Sequence, residues 1–151
     1  MNLSTPNKIC LAALILIAVW VYTHRSAEAP DTPFPNVDGL HVLAVHDVLK
    51  DASLPQGQLE AILSLSAAGA VNDFLQSHAA HEKSGDLAVR VFDVDQNVDN
   101  ELAEWKQQFS SPAQPRTSLP WLTVSNGRTG YDGPFPKDAN ALITLLKKYG
   151  G

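Results

Sequence analysis

The chain has 151 residues, of which 44% are hydrophobic, 18% are charged and one is a cysteine. That composition suits a single domain with a core and is too apolar for a disordered chain. Residues 26–151 hold 9 Lys and Arg against 16 Asp and Glu, a net charge of −7. No basic run is longer than Lys147–Lys148, which argues against nucleic acid or an anionic lipid surface as a partner.

The first element is Ile9–Tyr22, "ICLAALILIAVWVY", an unbroken apolar run of fourteen residues. A helix of that length spans about 21 Å, short of the roughly 30 Å hydrocarbon core of a bilayer but typical of a secretory signal. Lys8 precedes the run, and Trp20 and Tyr22 suit a membrane interface at its far end. Ala27-Glu28-Ala29 fits a peptidase site, yet Pro30 follows it and should resist cleavage. Residues 1–25 are therefore expected to be an uncleaved, single-pass anchor, with the C-terminal part exported to a periplasmic or extracellular space. Secretion after signal cleavage is the alternative. Residues 26–35, "SAEAPDTPFP", form a Pro-rich linker, and a domain follows over 36–151.

Within that domain "HVLAVHD", His41–Asp47, predicts a buried strand. Helical spacing follows from Pro55 to His78, with Leu59, Ile62 and Leu63 on one face, and Gly69 breaks or kinks it. "LAVRVFDV", Leu87–Val94, is a second strand. Asp99 or Asn100 is expected to cap a helix that turns Leu102, Trp105 and Phe109 inward. "WLTVS" and "RTGY" flank Asn126-Gly127, a strong hairpin signal. A last helix runs from Asp138 to Tyr149. The order β-α-β-α-β-β-α predicts an α/β fold with a mixed four-stranded sheet covered by helices.

Three stretches carry a resemblance: "FDVDQNVDNELAEW" (Phe92–Trp105), "SLPWLTVSNGRTG" (Ser118–Gly130) and "ALITLLKKYG" (Ala141–Gly150). In order and spacing they resemble the thioredoxin-like superfamily, over about residues 40–149. The resemblance implies a three-layer α/β/α sandwich. It also implies a cis peptide bond before Pro120, beside an edge that receives extended peptides. The family's Cys-x-x-Cys pair follows the first strand, where this chain has "DVLKDASLP". The only cysteine is Cys10, so the domain has no thiolate for disulfide exchange and no thiolate metal ligand. With "LPW", "SNG" and "GP" ahead of a "KKYGG" end, the chain resembles uncharacterised bacterial thioredoxin-like proteins, a resemblance that implies no activity.

The candidate peptide-binding residues are thus Leu119, Pro120 and Trp121, with a protein or peptide as partner, and no cofactor and no catalytic residue is expected. The plainer reading is a structural bend with Trp121 in the core. A second candidate lies in "VFDVDQNVDNELAE", Val91–Glu104. Asp93, Asp95, Asn97, Asp99, Glu101 and Glu104 match the ligand offsets of a calcium loop. Val98 stands where that loop needs glycine, however, and the preceding segment reads as a strand. The favoured reading is therefore a strand end and a helix N-terminus. A third candidate is a non-thiol enzyme built on His46 and Asp47. "HAAHE", His78–Glu82, lacks the zincin order and reads as a solvated helix end.

Overall fold

The computed structural model describes Phe34, residues 37–112 and residues 114–150. The apolar run Ile9–Tyr22, the cleavage candidate and most of the linker lie outside the described residues. Among the described residues no helix is long and apolar enough to cross a membrane.

The fold is α/β. Strand β1 (His41–His46) leads into a 3-10 helix (Val48–Ser53), then helices α1 (Gln56–Leu63) and α2 (Ala70–His78). Strand β2 (Val89–Asp93), helix α3 (Ala103–Ser110), strands β3 (Trp121–Ser125) and β4 (Gly130–Pro134) and helix α4 (Ala139–Gly150) follow. The strands form one mixed sheet in the order β2-β1-β3-β4. β1 runs parallel to β2 and antiparallel to β3, and β3 and β4 form the hairpin.

The alternation of β1 distributes its side chains between two cores. Val42 and Ala44 join Ile62, Leu75, Leu122, Val124, Leu142 and Leu146 on the face covered by α1, α2 and α4. Leu43 and Val45 join Phe92, Val98 and Trp105 on the face covered by α3. Phe34, assigned to the linker by composition, belongs to this second core. It packs edge-on against Trp105 at 4.9 Å between ring centres.

Several boundaries differ from the sequence expectation, each for a local reason. The helical stretch after β1 splits in two. Residues 64–69 form turns, and Gly69 has φ +149°. Asn72 Nδ2 donates to Leu65 O across the break at 3.1 Å. Leu63 points outward, and Ala61, Ile62 and Leu65 are buried instead. β2 ends at Asp93, so Val94 and Asp95 lie in the turn beyond it. α3 begins at Ala103 after Leu102 and has no side-chain cap, so neither Asp99 nor Asn100 caps it.

The Asn126-Gly127 hairpin forms as the sequence predicts. Asn126 Oδ1 accepts from the Thr129 amide at 2.8 Å, and Gly127 takes φ +80°. A Cβ at Gly127 would lie 1.9 Å from Val37 O, so this turn tolerates only glycine.

Candidate functional site

The carboxyl ends of β1 and β2 converge with the loop before β3. In sheets with parallel strands this end is where ligands collect. The chain leaving β1 tightens at once into the 3-10 helix because Asp47 caps it, its carboxylate accepting from the Leu49 amide at 3.1 Å. Asp47 also pairs with Lys50 at 2.7 Å, which raises the Lys50 pKa through that hydrogen bond and charge. His46 Nδ1 meets Asp51 Oδ1 at 2.9 Å.

Asp93, at the end of β2, locks the two strand ends together. Its Oδ2 accepts from the Val48 amide at 2.8 Å and its Oδ1 from the Asp95 amide at 2.9 Å. These backbone donors, Val48 first, lower the Asp93 pKa below the usual carboxylate value. The Val94 amide returns a bond to His46 O at 2.7 Å.

The Leu119–Pro120 peptide bond is cis, as the sequence reading expects. Leu119 and Pro120 meet Asp47, Lys50 and Leu54 around a depression of about 20 Å³. That volume holds roughly one water and no substrate-sized molecule. The apolar surface lies beside it instead. Leu49 is 90% exposed and Val48 54% exposed, and Val94 adds a partly exposed side chain from the end of β2.

Of the three residues expected to bind peptide, Leu119 is partly exposed and Pro120 is buried. Trp121 is a core residue. Its Nε1 donates to Asp132 Oδ1 at 2.6 Å, and the same oxygen accepts from Thr123 Oγ1 at 2.7 Å. Asp132 Oδ2 accepts from the Gln114 amide at 3.1 Å, so one carboxylate ties the loop before β3 to the hairpin.

The calcium-loop residues do not converge. Both Asp93 oxygens accept backbone N–H groups, Asn97 Oδ1 accepts from the Asp99 amide, and Glu101 pairs with Arg90 at 3.3 Å. Val98 is buried in the core under α3. Among the described residues no group of three or more His, Cys, Asp or Glu side chains could hold a metal ion.

Comparison of the chain with family models, with curated proteins and with solved structures finds no match.

Sequence reasoning missed two features. Val48 and Leu49 lie in "DVLKDASLP", where two adjacent aliphatic residues beside charged Asp47 and Lys50 are a signal of exposed apolar surface. The "HAAHE" stretch is a solvated helix end only in part. His78 and His81 are exposed, but the Glu82 side chain is only 6% exposed, bound to Arg90 at 2.8 Å and to Trp105 Nε1 at 2.7 Å.

Proposed function

We propose that this chain is a redox-inactive, thioredoxin-like module, held at a membrane by residues 9–22 and exported, whose role is to bind a protein or peptide. The sheet order β2-β1-β3-β4 and a cis-proline ahead of β3 support that fold reading. The absence of cysteine from residues 26–151 supports the redox-inactive part.

The observation that carries the binding reading is the surface at the carboxyl end of β1. Where the resembled family keeps its redox pair, this chain presents exposed Val48 and Leu49 on the same turn as Asp47 and Lys50, which meet Leu119. A shallow apolar surface without a cavity suits a peptide laid across it better than a small substrate. The partner chain would bury Leu49 and Val48 and run past Leu119, with Asp47 and Lys50 at the rim.

A random peptide library displayed on phage tests this reading. Peptides selected on the 151-residue chain should lose at least tenfold in affinity for Leu49→Glu and Leu119→Glu, since each places a charge against a buried apolar contact. Selected peptides that bind both variants as well as the parent would sink it.

A further inference from the structure

The β3–β4 turn holds a reactive dipeptide as well as a chain reversal. Asn126 is the only asparagine in the chain followed by glycine. With no Cβ on the next residue, its backbone nitrogen meets the least hindrance in attacking an asparagine carboxamide. Asn126 and Gly127 are both partly exposed, so water reaches them. Solvent exclusion therefore does not protect the pair.

Hydrogen bonds hold it instead. Asn126 Nδ2 donates to Tyr149 O in the last turn of α4 at 2.9 Å. Asn126 Oδ1 accepts from the Arg128 amide at 3.0 Å, from the Thr129 amide at 2.8 Å and from Thr129 Oγ1 at 3.3 Å. Only one orientation of the carboxamide satisfies this set, because a carbonyl takes a donor and an N–H takes an acceptor. The nucleophile is tied as well. The Gly127 N–H donates at 3.1 Å to Oγ of Ser125, a fully buried residue.

We propose that Asn126-Gly127 is a self-modification site that the folded chain keeps closed and that opens when the contact between the hairpin and α4 is lost. In the reaction Gly127 N gives its proton to hydroxide and bonds to Asn126 Cγ. The Cγ–Nδ2 bond breaks and ammonia leaves, giving a cyclic imide. One water then opens the imide at either carbonyl to aspartate or isoaspartate, and nothing is oxidised or reduced. Closing the ring takes Nδ2 off Tyr149 O and the Gly127 nitrogen off Ser125 Oγ, so both ties oppose the first step.

Either product marks the chain. Aspartate puts a carboxylate oxygen where Nδ2 stood, so two acceptors face each other at Tyr149 O. Isoaspartate lengthens the backbone by one carbon beside Gly127, where even an added Cβ would run into Val37 O. The modification thus records an opening of the turn and prevents its full re-formation.

Peptide mass spectrometry tests this on the 151-residue chain held in mildly alkaline buffer with and without guanidinium chloride. Conversion at Asn126 should be at least about tenfold slower in the folded chain, because only its open fraction reacts. Asn126→Asp, which installs one product directly, should speed hydrogen exchange in the last turn of α4. Asn97→Asp, in the turn before α3, should leave that exchange unchanged. Equal conversion with and without denaturant would show that the ties give no protection. Faster conversion in the folded chain would show that the donors on Oδ1 drive the addition rather than oppose it. Either result overturns the proposal, as does unchanged exchange in α4 for Asn126→Asp.

Discussion

Gly127 and Glu82 are single residues on which a whole region depends, for opposite reasons. Gly127 combines a left-handed backbone with a close approach to Val37 O, so any Cβ meets backbone that cannot rotate away. Gly127→Ala should cost about 2 kcal/mol or more in urea unfolding, from conformational strain and the clash together. Gly85 also has positive φ but has open space around it, so Gly85→Ala pays only the conformational part and serves as the control. Glu82 is buried and charged. Glu82→Gln keeps the acceptor for Trp105 but leaves Arg90 short of its closest counter-charge. Arg90 is 21% exposed, which softens the loss, and about 2 kcal/mol is expected. Glu101→Gln at the 3.3 Å partner, itself 27% exposed, should cost under about 1 kcal/mol. Equal costs for the two substitutions would mean that Arg90 does not distinguish its partners.

The turn between β2 and α3 shows how an oxygen-rich sequence resolves into structure. Its ligand-like spacing is satisfied by the backbone, with Asp93 accepting from Val48 and Asp95 and Asn97 from Asp99. Millimolar calcium should therefore leave the melting temperature where a chelator leaves it. Titration of Asp93 has a definite sign. Its folded pKa is lowered, so its contribution is fully present above the unfolded value of about 3.9 and is lost as pH falls through the folded value. Asp93→Asn removes that titration. Melts taken from pH 5 down to pH 2 should show a shallower acid decline in the variant than in the parent. A variant that tracks the parent curve would show that the Val48 and Asp95 amides do not depend on the charge.

The same turn marks what was legible in the sequence. The strands, the Asn126-Gly127 hairpin and the final helix were readable because periodicity and turn chemistry are local. The start of α3 was not, because Leu102 precedes it without a side-chain cap and Val98 is drawn into the core instead. The role of Asp132 depends on a loop eighteen residues away, and that of Glu82 on a tryptophan twenty-three residues away. No spacing rule carries either pairing. The Leu119–Pro120 position was legible, whereas the burial of Trp121 behind it follows from its hydrogen bond across the hairpin to Asp132.

Among the described residues, the sheet divides the apolar interior into two cores that share no residue. β1 feeds both, sending Val42 and Ala44 one way and Leu43 and Val45 the other. Its five buried residues are held on one side by β2 and on the other by β3, which leaves its backbone little freedom to transmit a rearrangement. Leu142→Val, on α4, and Phe92→Leu, under α3, remove packing from opposite faces without a shared partner. Each should destabilise by about 1 kcal/mol, since each deletes buried volume without adding a polar group. Their sum should predict the double variant to within about 0.5 kcal/mol. A coupling well above that would mean that the sheet bends as a unit, so that loss on one face relaxes the other. In that case the carboxyl end of β1, which leads into the exposed Val48 and Leu49, would respond to either substitution.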